Sequence, residues 1–175
     1  MSGLVHIYTG EGKGKTTAAV GLGIRACGRG KKVLLVQFLK GSETGEMFII
    51  EKLKPDFELY RHKEIGKFSW NMTQDELHAM KNDIEHLFQY AVSEALNRKR
   101  DMVILDEIMA SITTGFIELE DVMDFVKNKP VGLELVLTGR NAPRELMELA
   151  DYVSEIKAVK HPLMMGISAR EGVEF

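Results

Sequence analysis

The stretch Thr-Gly-Glu-Gly-Lys-Gly-Lys-Thr-Thr at residues 9–17 constrains this chain more than any other segment. It follows a short apolar run at residues 4–8 that is typical of a strand, and it leads into a segment with helical character at residues 16–27. A glycine-rich turn between a strand and a helix is the context of a phosphate-binding loop. We therefore predict that nucleotide phosphates are bound by Thr9, Gly10, Glu11, Gly12, Lys13, Gly14, Lys15, Thr16 and Thr17.

The chemistry of this loop suits a triphosphate with a metal ion. Its glycines can adopt positive φ and turn backbone N–H groups inward. Lys15 can reach phosphate oxygens as a point charge, and the Thr16 hydroxyl can ligate magnesium. One feature departs from the usual G-x-x-x-x-G-K-[ST] pattern, because Thr9 stands where the first glycine belongs and Gly10 comes one place late. We expect a variant cradle, while a glycine-rich turn with solvated lysines is the structural alternative.

Composition limits the classes of function. With 23 Lys and Arg against 26 Asp and Glu, the net charge of −3 gives no general field for a polyanion, so a nucleic-acid partner is disfavoured. The single cysteine, Cys27, fits a reducing compartment. The longest apolar run, residues 33–39, is too short to span a bilayer, and residues 1–3 leave no room for a signal peptide. We expect a cytoplasmic protein without a membrane partner.

A second signal lies at residues 102–107, where Met-Val-Ile-Leu precedes the acid pair Asp106 and Glu107. In a protein with a phosphate-binding loop, a buried strand that ends in a carboxylate faces the magnesium ion. We predict that Asp106 acts on the metal, directly or through water. Glu107 is either a second metal contact or a group that orients a nucleophile.

The order of apolar runs predicts the fold. Strands expected at residues 4–8, 33–38, 57–61, 102–105, 133–137 and 152–159 alternate with helical segments. This alternation predicts one α/β domain over residues 1–175, a P-loop NTPase-like three-layer α/β/α sandwich with a mostly parallel sheet. The phosphate loop and the acid pair should meet at the carboxyl edge of that sheet. Arg140 follows a strand there, where it could contact phosphate or pair with a surface acid.

Phe68 and Trp70 lie two residues apart in a polar segment, and Trp70 is the only tryptophan of the chain. Large apolar side chains are unusual in a polar loop. They either contact a ligand or fold over the core as plugs, and the residues alone favour neither alternative. Taken together, the residues predict magnesium nucleotide chemistry without deciding the reaction.

Several segments resemble the P-loop type of corrinoid adenosyltransferase, in the same order from one end of the chain to the other. These are residues 9–19 (TGEGKGKTTAA), 36–41 (VQFLKG), 68–70 (FSW), 103–107 (VILDE), 137–140 (LTGR), 159–162 (VKHP) and 172–175 (GVEF). The threonine-led phosphate loop is itself part of that family's pattern. The resemblance therefore accounts for the departure at Thr9.

The resemblance implies transfer of the 5′-deoxyadenosyl group of ATP to the Co(I) of a reduced corrinoid, with release of triphosphate. It implies a catalytic role for Lys15, a Mg²⁺ site at Thr16, Asp106 and Glu107, and a role for Phe68 and Trp70 against the corrin in displacing its lower axial ligand. It also implies a homodimer and a separate flavoprotein as electron donor. The competing hypotheses are a P-loop ATPase or small-molecule kinase, and a non-catalytic nucleotide-responsive protein.

Overall fold

The computed structural model describes residues 2–61 and 73–175, and within them six parallel strands form one sheet. The strands are β1 (Val5–Thr9), β2 (Val33–Gln37), β3 (Phe57–Arg61), β4 (Met102–Asp106), β5 (Glu134–Thr138) and β6 (Tyr152–Glu155). Their spatial order is β3-β2-β4-β5-β1-β6, and every neighbouring pair is parallel. The predicted parallel sheet is confirmed.

Helices cover both faces of the sheet. They are α1 (Lys15–Cys27), α2 (Gly45–Lys52), α3 (Gln74–Leu96), α4 (Ile108–Thr113), α5 (Leu119–Asn128) and α6 (Arg144–Leu149). Ala19 and Val20 of α1 and Ile50 of α2 join one apolar cluster, whereas the buried faces of α3 to α6 join the other. The result is the predicted three-layer sandwich.

The interior strands β2 and β4 explain why both faces of the sheet must be covered. All five residues of each strand are buried, as expected from apolar runs without alternation in a parallel sheet. Within β2, Leu34 and Val36 face one cluster, while Val33 and Leu35 face the other. Burial on both sides therefore follows from the composition of these strands.

The edge strand β6 is shorter than the sequence predicts. It ends at Glu155, and its four residues are exposed, whereas residues 152–159 were expected to form the strand. At the next residue, the carbonyl of Ile156 accepts a hydrogen bond from the Gly12 N–H at 2.7 Å. The chain leaves the sheet here because its backbone engages the phosphate loop instead of another strand.

The sequence Thr-Gln-Asp-Glu at residues 73–76 is typical of the start of a helix, and the longest described helix, α3, begins there. Thr73 accepts a hydrogen bond from the backbone N–H of Glu76, and the Glu76 carboxylate accepts one from the Thr73 N–H, which is a capping box. Its buried face carries residues such as Met80, Ile84 and Phe88. In the described ranges, no helix combines the length and the apolar character needed to cross a bilayer.

The strand order positions the site. Parallel strands all end at the same edge, so the loops after β1, β2, β4 and β5 converge there. Because β5 separates β1 from β4, the carboxyl ends of β1 and β4 lie two strand spacings apart, about 10 Å. The first turn of α1 and the end of β5 fill that gap.

Candidate active site

The phosphate loop is ordered by its own lysine. The Lys15 ammonium donates hydrogen bonds to the carbonyl oxygens of Gly10, at 2.7 Å, and of Gly12, at 3.0 Å. Only 7% of Lys15 is exposed. Gly14, with φ 120°, precedes α1 and offers no side chain to cap it. The backbone N–H groups of the first turn are thus available to an anion, beside a cation held by the loop.

The departure from the usual motif at Thr9 has a structural reason. Thr9 is the last residue of β1, where a side chain is tolerated, and its hydroxyl accepts a hydrogen bond from the Ala142 N–H at 3.3 Å. The turn begins one residue later at Gly10, whose φ is 102°. A Cβ atom at Gly10 would lie 2.5 Å from the carbonyl oxygen of Ile156. The glycine is therefore required at position 10 rather than position 9.

Asp106 is the fixed anionic centre of the site. Its carboxylate is fully buried and accepts hydrogen bonds on both oxygens. Oδ1 accepts hydrogen bonds from the hydroxyl groups of Thr16, at 2.8 Å, and Thr138, at 2.7 Å. Oδ2 accepts hydrogen bonds from the Lys40 ammonium at 2.9 Å and from the Gln37 amide at 3.3 Å. These contacts bring the ends of α1, β2 and β5 to the end of β4.

Glu107 is held in an unusual conformation beside this centre. Its φ of 64° lies in the left-handed region, which is uncommon for a residue other than glycine. Its N–H donates to the Thr138 hydroxyl at 3.0 Å. Burial, and then the neighbouring Asp106, raise the pKa of Glu107, while Lys15 and Lys40 act in the opposite direction. Such backbone conformations persist where the surroundings impose them, often at functional sites.

Thr16, Asp106 and Glu107 together offer oxygen donors of the kind that Mg²⁺ prefers. The ion usually binds one or two carboxylates and completes its shell with water and substrate phosphates. Groups of three or more His, Cys, Asp and Glu side chains that could hold a metal do not occur in residues 2–61 and 73–175. One hydroxyl and two carboxylates fit an ion that takes its remaining ligands from water and substrate phosphate.

Arg140 lies at the rim of the site. Its guanidinium pairs with the Glu11 carboxylate at 3.2 Å, and both side chains are more than half exposed. An exposed ion pair of this kind contributes only about 0–1 kcal/mol, so little holds Arg140 away from an incoming phosphate. The surface pairing considered for Arg140 is observed, and phosphate contact stays a prediction.

Lys15, Thr16, Glu107 and Arg140 line one cavity of about 740 Å³, and the buried Asp106 lies behind its wall at Thr16. That volume lies within the roughly 300–1,000 Å³ of small-molecule sites. Its walls are the phosphate loop, the start of α1, residues 40–46 and the end of the chain at residues 172–175. Lys13 forms an ion pair of 3.4 Å with Glu174, which ties the end of the chain to the loop.

Sequence reasoning located part of this site. It named the phosphate loop, the acid pair and Arg140, all of which line the cavity or support it. It included Lys40 and Thr138 only within the family segments at residues 36–41 and 137–140, and it gave neither residue a role. The position of Thr138 directly after an apolar strand was the available signal. Phe68 and Trp70 lie outside the described residues.

Comparison with known proteins identifies the family. A family model described as ATP:corrinoid adenosyltransferase BtuR/CobO/CobP matches residues 1–175. The chain belongs to this family. Its members use ATP and a corrinoid as substrates, so the chain is an adenosyltransferase of cobalamin synthesis. Membership confirms the resemblance seen in the sequence and does not support the ATPase or kinase hypothesis.

Curated relatives named corrinoid adenosyltransferase match nearly the whole chain. The protein from Escherichia coli strain K12 is 34% identical over 99% of this chain and 86% of its own length. The Sinorhizobium sp. protein is 39% identical, over 99% of this chain and 80% of its own length. The Pseudomonas aeruginosa protein is 36% identical, over 99% and 84% respectively. The family relation thus extends over the phosphate loop, the acid pair and the end of the chain.

Proposed function

We propose that residues 1–175 act as one domain that binds Mg²⁺-ATP along residues 9–17. The domain would transfer the 5′-deoxyadenosyl group to the Co(I) of a reduced corrinoid and release triphosphate. The observation that carries this proposal is the hydrogen bond of 2.8 Å between Thr16 and Asp106. It brings the start of the phosphate-loop helix to a buried carboxylate in the same site as the Lys15 ammonium.

Each residue has a role in holding the triphosphate. The loop N–H groups and Lys15 bind phosphate oxygens, and Arg140 adds a charge at the rim. Thr16, Asp106 and Glu107 hold Mg²⁺, which supplies further neutralisation of the triphosphate charge when it is bound. The cavity contributes orientation, because it presents these groups from one side.

The transfer itself requires no proton movement. The electron pair of Co(I) forms the bond to the ribose 5′ carbon, the bond from that carbon to oxygen breaks, and its electron pair leaves with the triphosphate. No general base is needed for this step. The protein contributes positioning and stabilisation of the charge on the leaving group.

The remaining assignments rest on the family resemblance. Phe68 and Trp70 would lie against the corrin and displace its lower axial ligand, which makes the cobalt easier to reduce. A separate flavoprotein would supply the electron, and the protein would act as a homodimer. A cytoplasmic location is supported by the lone free thiol of Cys27.

Product analysis tests the proposal. The protein is incubated with ATP and a chemically reduced corrinoid, and the phosphate product is identified by chromatography. We expect one triphosphate for each cobalt–carbon bond formed. An oxidised Co(III) corrinoid, which has no nucleophilic electron pair, is the control and should give neither product. Formation of ADP, or of triphosphate without alkylated corrinoid, would contradict the proposed reaction.

A further inference from the structure

Lys40 follows β2 and places its ammonium among the groups assigned to the metal. The nitrogen lies 2.9 Å from Asp106 Oδ2 and 3.3 Å from the Thr16 hydroxyl oxygen. It also lies 3.9 Å from Glu46 Oε1. Less than a quarter of the Lys40 side chain is exposed. A cation of the chain itself therefore contacts two of the three groups that are proposed to hold Mg²⁺.

The backbone around Lys40 fixes this placement. Leu39 has a φ of 54°, which turns the chain sharply at the end of β2. The Arg61 guanidinium then donates hydrogen bonds of 3.0 Å to the carbonyl oxygens of Lys40 and Ser42. The loop is thereby tied to the end of β3. The ammonium reaches Asp106 from a loop whose backbone is held by hydrogen bonds.

The surroundings of the ammonium are rich in oxygen atoms. Asp106 and Glu46 both carry negative charge toward it, and the Gln37 amide donates to both carboxylates at 3.3 Å. Among the described residues, the buried oxygens Gln37 Oε1 and Thr44 Oγ1 accept no hydrogen bond. The buried Asp106 carboxylate requires a positive partner, and the Lys40 ammonium provides it.

We propose that the Lys40 ammonium occupies the metal-side oxygens before nucleotide binds and exchanges with Mg²⁺ when Mg²⁺-ATP arrives. This inference rests on the proposed metal site at Thr16 and Asp106. An ammonium and a divalent ion repel each other strongly at contact distance in a poorly solvated site. The two cations therefore compete for Asp106, and Lys40 is a positioning residue that weakens binding of the metal alone.

The phosphates give the displaced ammonium a new partner. Lys40 lines the same cavity as Lys15, Thr16 and Arg140, and its flexible stem allows the charge to turn toward the triphosphate. Metal binding and nucleotide binding are then coupled, because the triphosphate that draws the Lys40 ammonium away from Asp106 also carries the Mg²⁺ ion. The exchange also places a further positive charge beside the leaving group.

Metal titration without nucleotide tests the exchange. Mn²⁺, which also prefers oxygen ligands, is titrated into the protein and followed by electron paramagnetic resonance. We expect Lys40→Met, which keeps the length of the side chain and removes its charge, to bind Mn²⁺ at least tenfold more tightly than the wild type. Lys32→Met is the matched control, because Lys32 precedes β2 and pairs with the exposed Asp56 at 2.7 Å. It should change the affinity by less than twofold.

Two further measurements keep the outcomes separate. Lys40→Gln also removes the charge, so its Mn²⁺ affinity shows whether the change follows the charge of residue 40. Thermal unfolding of each variant shows that the protein is folded. The ¹⁵N resonance of the wild-type Lys40 ammonium should shift when Mg²⁺-ATP is added. An Mn²⁺ affinity equal to that of the wild type in both Lys40 variants, or an unshifted resonance, would overturn the exchange. If Asp106→Asn leaves Mn²⁺-ATP binding unchanged, the metal site of the proposed function fails instead.

Discussion

Replacement of Lys15 by Ala should weaken ATP binding and slow adenosyl transfer. The ammonium of Lys15 is buried in the loop, where it donates to the carbonyl oxygens of Gly10 and Gly12. In the complex, the same ammonium is expected to bind phosphate oxygens as a charge-assisted donor. A hydrogen bond to a charged group contributes about 1.5–3 kcal/mol. At about 1.4 kcal/mol for each factor of ten, the affinity for ATP should fall roughly 10- to 100-fold.

The same substitution should also lower the stability of the free protein. It removes two hydrogen bonds that a charged ammonium donates, each with a net contribution of about 1.5–3 kcal/mol. For a chain of this length, 1 kcal/mol corresponds to about 2–4 °C in Tm. Calorimetric titration with ATP at 25 °C, together with a thermal scan of the same sample, separates the loss of binding from the loss of stability.

Lys13→Ala is the matched control for Lys15→Ala. Lys13 lies in the same loop and carries the same charge, but its side chain is 46% exposed and pairs with Glu174 at the end of the chain. We expect it to lose much less affinity for ATP. Equal losses in the two variants would show that the loop acts through its general charge. Unchanged kinetics in Lys15→Ala would mean that the phosphates lie elsewhere.

Three further predictions concern the metal site, the two aromatic residues of the family resemblance and the pKa of Glu107. Asp106→Asn should raise the Mg²⁺ concentration needed for half-maximal activity, because it removes the charge of the buried ligand; an unaltered Mg²⁺ titration would refute this. Phe68→Ala and Trp70→Ala should abolish most activity when a flavoprotein reduces the corrinoid, yet keep much of it with chemically prepared Co(I); equal loss in both assays would indicate structural plugs. Burial raises the pKa of Glu107 in the folded protein above its value in the unfolded chain. When the pH rises between these two pKa values, the unfolded chain releases the Glu107 proton first, so the free energy of unfolding of the wild type falls. Glu107→Gln should therefore gain more Tm relative to the wild type at pH 7 than at pH 4, and an equal gain at both pH values would contradict the pKa direction.

The parts of the site that depend on neighbouring residues were accessible from the sequence. Residues 9–17 carry their glycines, lysine and threonine at fixed spacing between a strand and a helix, and that local order defines a phosphate loop. The acid pair at the end of β4 is equally local, as is the capping box at Thr73 outside the site. Chemistry of this kind is visible because covalent spacing alone sets which groups can act together.

The identity of the reaction was also contained in the sequence, although in a different way. The phosphate loop and the acid pair predicted magnesium nucleotide chemistry but no acceptor. Family segments spread over the whole chain indicated the corrinoid, and the match of the family model over residues 1–175 confirmed the family. Phosphate-binding loops serve many reactions, so the loop alone could not choose among them.

The tertiary structure decided which groups surround Asp106. Its carboxylate accepts hydrogen bonds from Lys40, Thr138 and Thr16. These residues are separated from Asp106 by 66, 32 and 90 positions in the sequence, respectively. Their convergence depends on the strand order β3-β2-β4-β5-β1-β6, which inserts β5 between the phosphate loop and the acid pair. Strand order is set by how apolar faces pack over long separations, and no local spacing encodes it. The sequence by itself therefore determined the phosphate loop and the family, whereas only the folded chain placed the Lys40 ammonium at the carboxylate proposed to hold the metal.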